Sequence, residues 1–154
     1  MKRTTAALLL AALLLGLTGC GAGSPAAAPV DLSAVYESFQ DTLPTMLILD
    51  ETMMLNLLGI QAEDCAQAVV AICGSGLGAD EVWLIEAKDA AALERLQQLA
   101  STRLQAKAEE TVSYLPDQYA VVEKGQILCM GNYLAFLVSP DVETLKTLFE
   151  DAVK

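Results

Sequence analysis

Residues 81–100, EVWLIEAKDAAALERLQQLA, combine a predicted strand with the start of a predicted helix. The run from 81 to 88 is apolar and partly β-branched, which is typical of a buried strand. Asp89 follows at the position of a helix N-cap, where its carboxylate can accept hydrogen bonds from free main-chain N–H groups. Apolar residues then recur at helical spacing, so we predict one long helix that reaches about residue 115.

This predicted helix carries one apolar stripe, and its charged residues are expected on the other sides. The stripe comprises Leu93, Leu96, Ala100, Leu104, Ala108 and Val112, and the charged residues are Arg95, Arg103, Lys107 and Glu110. A stripe of this kind is typical of a helix that packs against a sheet. The long helix is therefore expected to cover one face of the domain.

A second strand and capped helix lie 52 residues further on, where 133–152 aligns with 81–100 without a gap. Asp89 then falls on Asp141, and strands at 66–73 and 127–130 complete two strand–strand–helix units. An internal duplication would account for this pattern. The sequence predicts an α+β domain, a two-layer, four-stranded antiparallel sheet of order β-β-α-β-β-α with both helices on one face. One or two additional helices are expected before residue 62.

Glycines mark the two loops within these units. Residues 74–78, GSGLG, lie between two predicted strands, and we interpret them as a hairpin connection. A phosphate-binding loop would need a helix directly behind it and usually a lysine, and neither follows here. Gly131 and Asn132 predict a two-residue hairpin turn with glycine first, as a type II′ turn requires.

The first twenty residues contain the parts of a secretory leader. Lys2 and Arg3 precede an apolar run at 6–17, whose twelve residues are fewer than the roughly 20 that a spanning helix needs. Residues 17–20 resemble a bacterial lipobox, which implies cleavage before Cys20 and acylation of its sulfur. The peptidase would recognise Leu17, Thr18 and Gly19. An ordinary cleaved signal peptide with an incidental cysteine is the alternative.

The leader divides the chain into three parts: a signal peptide at 1–19, a lipidated cysteine with a flexible tether at 20–30, and a single domain at 31–154. We therefore expect the protein to be anchored in the cell membrane through the lipid on Cys20, on the extracytoplasmic face. Several acyl chains would give stable attachment, because each buried methylene contributes about 0.8 kcal/mol.

Composition limits the chemistry that the domain can perform. Twenty acidic residues stand against nine basic ones, for a formal net charge of −11, so nucleic acid is not expected as a partner. The chain has no histidine, which excludes Ser–His and Cys–His triads and nearly all zinc sites. We identify no catalytic residue, no metal-ligand set and no cofactor motif. Carboxylate or lysine chemistry stays open.

Three cysteines follow Cys20, at Cys65, Cys73 and Cys129, and all lie in apolar surroundings. We interpret them as small buried apolar side chains. A disulfide that involves Cys129 is the alternative, and it would need two of the three cysteines to lie within bridging distance. No Cys-x-x-Cys motif occurs, so the spacing indicates neither a redox centre nor a zinc knuckle.

Several segments between residues 43 and 141 resemble one protein family. They are Leu57-Leu58-Gly59-Ile60, Asp80-Glu81-Val82, Glu86-Ala87-Lys88-Asp89, Tyr114-Leu115-Pro116-Asp117-Gln118-Tyr119 and Gly131-Asn132-Tyr133. The family comprises small lipoproteins of Gram-positive bacteria that are catalogued as a domain of unknown function. The resemblance implies an exported, lipid-anchored α+β domain, and it brings no catalytic residues.

The leading functional hypothesis is a non-catalytic module that binds a protein partner or a cell-wall component. Tyr114, Tyr119 and Tyr133 are the candidates for an exposed docking surface, with half-buried packing as the alternative. A solute-binding or sensor lipoprotein is the second hypothesis, and it would need a deep pocket with converging polar groups. An enzyme that uses a carboxylate or a cysteine is the third.

Overall fold

A computed structural model describes residues 29–113 and 115–154 as one antiparallel sheet with helices around it. The predicted leader, Cys20 and most of the predicted tether lie outside the described residues, and so does Tyr114. The sheet has five strands, which are β1 (Met46–Ile48), β2 (Cys65–Cys73), β3 (Glu81–Ala87), β4 (Gln126–Met130) and β5 (Tyr133–Val138). Their order across the sheet is β1-β2-β3-β5-β4.

Five α-helices accompany the sheet: α1 (Leu32–Glu37), α2 (Glu51–Met53), α3 (Ala90–Val112), α4 (Pro116–Val122) and α5 (Val142–Val153). A π-helical turn (Met54–Leu58) continues α2, and a 3₁₀ turn (Ala62–Asp64) precedes β2. The broad α+β class is therefore confirmed. Among the described residues, none of the helices combines the length and the apolarity that crossing a bilayer demands.

Capping aspartates begin three of the helices, and one of them is the predicted N-cap Asp89. Asp31, Asp50 and Asp89 each accept a hydrogen bond from a main-chain N–H two or three residues further on, at 2.8 to 2.9 Å. Gly59 ends the turn after α2 with φ of +73°, a conformation in which a side chain would be strained. These short-range interactions were visible in the sequence because each involves only neighbouring residues.

The two predicted hairpins are present. The 74–78 loop joins β2 to β3, and Gly131 with Asn132 joins β4 to β5. Gly131 has φ of +58°, whereas no described residue other than glycine has a positive φ. A type I′ turn would need positive φ at both central residues, so this geometry fits the predicted type II′ turn.

The two long helices lie on opposite faces of the sheet, so the predicted two-layer arrangement is wrong. On one face α3 buries Leu96 in the same cluster as Trp83, and α4 joins it there. On the other face α5 buries Leu145 and Phe149 against Leu84, together with α1. The sheet is thus the middle of three layers.

The alignment at a shift of 52 residues fails for the same reason. It superposes Trp83 on Ala135, yet Trp83 lies under α3 and Ala135 lies in the cluster under α5. If the two units were duplicated, a twofold axis would relate them. Because β3 and β5 are antiparallel neighbours, that axis would be perpendicular to the sheet. Such a rotation keeps equivalent residues on one face, so the pattern does not describe the packing.

The structure also corrects several predicted element boundaries. The sheet has a fifth strand, β1, whose three residues are too few to show a period of two. A helix not predicted from the sequence, α4, begins at Pro116, since proline is well suited to a first helical position. The first of the helices expected before residue 62 is α1, which ends at Glu37. The predicted stripe residue Val112 is 52% exposed.

Separate clusters on the two faces predict independent mutational effects. Leu96→Val and Leu145→Val each remove one buried methylene, which costs about 1 kcal/mol of the free energy of unfolding. We expect the double variant to equal the sum within about 0.5 kcal/mol in urea unfolding, because the sheet separates the two sites.

The matched control is the pair Trp83→Phe and Phe136→Leu, whose rings are in contact with centroids 4.7 Å apart. This pair should be non-additive by about 0.5 kcal/mol or more. Equal non-additivity in both pairs would contradict the placement of α3 and α5 on opposite faces.

Candidate functional site

A carboxylate is buried at the beginning of β3, beneath α3. Glu81 is 0% exposed, and both of its carboxylate oxygens accept hydrogen bonds. Arg103 donates from Nε and Nη2 at 2.8 to 3.1 Å, Lys107 donates from Nζ at 2.9 Å, and the Trp83 indole donates from Nε1 at 2.9 Å. We call Glu81, Trp83, Arg103 and Lys107 the Glu81 cluster.

Both cations of the Glu81 cluster come from one side of α3. Arg103 and Lys107 are four residues apart, so they lie on adjacent turns of one helix face. The expectation that they lie away from the packed side of the helix is wrong, since Lys107 is buried and Arg103 is half-buried. Their aliphatic stems flank the apolar stripe while their charged ends reach the carboxylate.

Glu81 and Arg103 are ionised at neutral pH. Burial alone raises the pKa of Glu81, but hydrogen bonds from Arg103 and the charge of Lys107 outweigh it, so the pKa lies below its ordinary value. Burial also opposes the charge of Arg103, but the hydrogen bond with Glu81 raises the pKa of the guanidinium. A carboxylate held this way is unavailable as a proton acceptor for a substrate. The cluster instead fixes α3 to β3.

Asp80 precedes Glu81 but does not join its cluster. The Asp80 side chain is buried near Ser139, which directly follows β5, and its Oδ1 has no hydrogen-bond partner among the described residues. Burial raises the pKa of Asp80, and hydrogen bonding with its own main chain opposes this shift. Because neighbouring strand residues point to opposite faces, Asp80 and Glu81 do not form a catalytic dyad.

Two of the segments that carry the family resemblance meet at this end of the sheet. The Gln118 side chain, in α4, accepts a hydrogen bond from the Ala79 N–H at 2.7 Å. A cavity of about 150 Å³ lies beside this contact, between the 74–78 loop and the helices, with Lys107 in its wall. Ligand pockets usually have about 300–1,000 Å³. We therefore interpret the junction as structural.

The tyrosines proposed for a docking surface do not come together. Tyr119 is half-buried in α4, beside a groove of about 400 Å³ between α3 and α4. Tyr133 is half-buried on the opposite face, and its hydroxyl accepts a hydrogen bond from the Val30 N–H at 3.4 Å. Tyr114 lies outside the described residues. A surface that includes both Tyr119 and Tyr133 would have to extend across the sheet.

The three described cysteines are free. Cys65 and Cys73 are half-buried, whereas Cys129 is exposed on β4, so its interpretation as a buried side chain is wrong. Burial raises the pKa of the Cys65 thiol to about 11, which leaves it protonated at neutral pH. No three acidic or cysteine side chains in the described part of the chain lie close enough together to hold a metal ion.

Comparison with known proteins gives the fold a family. The family described as Domain of unknown function (DUF4358) matches residues 40–139. The chain belongs to this family. The matched range contains all five strands, α3, α4 and the whole Glu81 cluster, so these features are part of the family domain. No curated protein and no solved structure matches the chain.

Removal of the central charge of this cluster should strongly destabilise the domain. In Glu81→Gln two buried or half-buried cations lose their carboxylate, so we expect a loss of about 3–5 kcal/mol in urea unfolding. Glu94→Gln, on the exposed side of the same helix, is the control and should stay within about 0.5 kcal/mol of the wild type. Equal effects would show that the cluster contributes little to the fold.

The lowered pKa of Glu81 predicts acid sensitivity. Below about pH 4.5 the unfolded chain takes up a proton at Glu81 that the folded protein does not, so the free energy of unfolding falls as pH falls. Urea unfolding between pH 7 and pH 3 should show a shallower decline for Glu81→Gln. The variant should still show the part of the decline that comes from Asp64, because a hydrogen bond from Arg95 lowers the pKa of that carboxyl. Identical slopes would contradict this account.

Proposed function

We propose that this protein is a lipoprotein, held on the extracytoplasmic face of the cell membrane through Cys20, that binds a protein or a cell-wall component there without catalysing a reaction. The observation that carries the proposal is the segment Leu17-Thr18-Gly19-Cys20 behind a basic and apolar leader. A cysteine at this point in a leader is the acceptor that lipid attachment requires.

The beginning of the described domain is consistent with a tethered protein. The Val30 carbonyl accepts a hydrogen bond from Gln67 Nε2 at 3.0 Å, and the Val30 N–H donates to the Tyr133 hydroxyl. The chain is therefore held to the sheet at Val30, and nine residues, 21–29, lie between Val30 and Cys20 in the sequence. Nine extended residues span about 30 Å, which would let the domain stand clear of the lipid surface.

The interior chemistry supports binding over catalysis. The central buried carboxylate is saturated by three donor side chains, and the buried thiol at Cys65 is protonated. The described domain nevertheless has seven large apolar residues that are each more than two-fifths exposed to solvent: Leu47, Ile48, Leu55, Leu57, Leu77, Val112 and Leu115. Contiguous exposed apolar patches are typical of interaction surfaces, and two of these side chains, Leu47 and Ile48, are sequence neighbours on the outermost strand β1.

The anchor can be tested by mass spectrometry on protein extracted from bacteria that express the full chain. We expect the wild type to begin at Cys20 and to carry acyl chains, and Cys20→Ser to lose both the acyl mass and the membrane fraction. Cys129→Ser is the control, because it removes an exposed thiol from the domain and should leave processing unchanged. An intact Met1 or an unmodified thiol at position 20 would refute the anchor.

The binding activity can be tested by crosslinking the anchored protein in its native cells. We expect one protein or wall fragment to be crosslinked reproducibly by the wild type and to be lost in Cys20→Ser, which no longer stays at the membrane. Retention of a small molecule by the purified protein, without a crosslinked partner, would favour the solute-binding hypothesis.

A further inference from the structure

We propose that β1 is a docking edge, at which an extended basic segment of a partner protein adds to the sheet as a sixth strand. The inference rests on the proposed function and names the surface and the chemistry of the partner. It depends on three features of β1: its free main-chain groups, its exposed apolar side chains and the charge around it.

Within residues 29–113 and 115–154, the main chain of β1 leaves hydrogen-bonding groups unpaired at the edge of the sheet. The Leu49 N–H donates to the Val70 carbonyl at 2.8 Å, and the Gly74 N–H donates to the Thr45 carbonyl at 2.9 Å. Because the direction of these groups alternates along an antiparallel pair, residues 45, 47 and 49 face β2. Met46 and Ile48 therefore direct their N–H and C=O groups away from the sheet, where an added strand would pair with them.

The side chains of β1 are apolar and accessible. Leu47 is 44% exposed and Ile48 is 56% exposed, and as strand neighbours they point to opposite faces. A groove of about 330 Å³ runs beside the strand on the α1 face, and its walls include Tyr36, Gln40, Leu43, Pro44, Met46 and Ile48. Natural sheet edges are protected by short strands, charges or prolines; β1 is short, with three residues, but it contains no charge and no proline.

The charge around β1 indicates which kind of segment would bind there. Residues 29–87, which contain α1, β1, α2, β2 and β3, include ten acidic residues and no lysine or arginine, and only Asp64 and Glu81 among the ten are bound by described cations, which belong to α3. Asp41, Asp50 and Glu51 are exposed on either side of β1. This field attracts a segment with lysine or arginine at the positions that face water, and it repels the same edge of a second copy. Pairing of the main chain would supply affinity, and alternate apolar side chains would enter the groove.

The test uses the processed, acylated protein in nanodiscs of neutral phosphatidylcholine, so that a basic peptide has no anionic lipid to bind. The probe is a capped decapeptide of alternating valine and lysine. In ¹H–¹⁵N spectra we expect the largest shifts at the amides of Met46, Leu47 and Ile48. A peptide with glutamate in place of lysine should not bind, and methylation of every second peptide nitrogen should weaken binding at least tenfold.

Variants separate the main-chain contribution from the charge. Ile48→Pro removes an N–H that points away from β2, so it should weaken peptide binding about tenfold while the sheet keeps its internal ladder. The double variant Asp41→Asn, Glu51→Gln leaves β1 unchanged and should weaken binding and reduce its dependence on salt. Leu57→Ala, at an exposed leucine outside the sheet, is the control and should bind normally.

The proposal is overturned if the methylated and unmethylated peptides bind equally, or if the shifts lie away from β1. It is also overturned if β1 is already occupied, by a second copy in the nanodisc-free protein or by residues 21–28 of the same chain. If the Ile48→Pro variant does not fold, the methylated peptide and the charge variant decide the question. None of these results bears on acylation of Cys20, so this inference and the anchor can fail separately.

Discussion

The buried carboxylate of Glu81 determines how the layers of this domain are arranged. An ionised carboxylate removed from water costs several kcal/mol unless cations and hydrogen bonds replace its hydration. Arg103 and Lys107 supply that replacement, so α3 must lie where both side chains reach the beginning of β3. Arg95 binds Asp64 near the other end of the helix. Charge therefore fixes both the face and the direction of α3.

The position of α3 limits where the remaining apolar surface can be buried. β3 is apolar on both sides, with Trp83 under α3 and Leu84 on the opposite face, and that second face is covered by α1 and α5. Once both faces are covered, the sheet can meet a partner only at its edges or through its helices. This explains why the accessible apolar pair, Leu47 and Ile48, is found on an outermost strand.

The sequence predicted what neighbouring residues decide and missed what distant ones decide. Asp89 and Gly131 act through their own main chain, so the cap of α3 and the turn between β4 and β5 were predictable. The choice of face was not, because strands that are apolar on both sides have no alternating pattern. The Glu81 cluster joins residues 26 positions apart, so only the fold reveals it, although paired cations at 103 and 107 were a usable signal. The candidate lipid site, Cys20, came from the sequence alone.

The charges of this domain divide into two groups with different consequences. Four of the seven described cations, including Arg103 and Lys107, bind carboxylates of the same chain, so they neutralise interior or local charge. Eight of the ten acidic residues in 29–87, all except Asp64 and Glu81, bind no lysine or arginine in the described part of the chain, and they leave β1 in a negative field. Screening limits that field to about 8 Å at physiological ionic strength, whereas the proposed tether reaches about 30 Å. The field would therefore act on a segment already at the edge, and the anchor would determine which proteins come close enough to meet it.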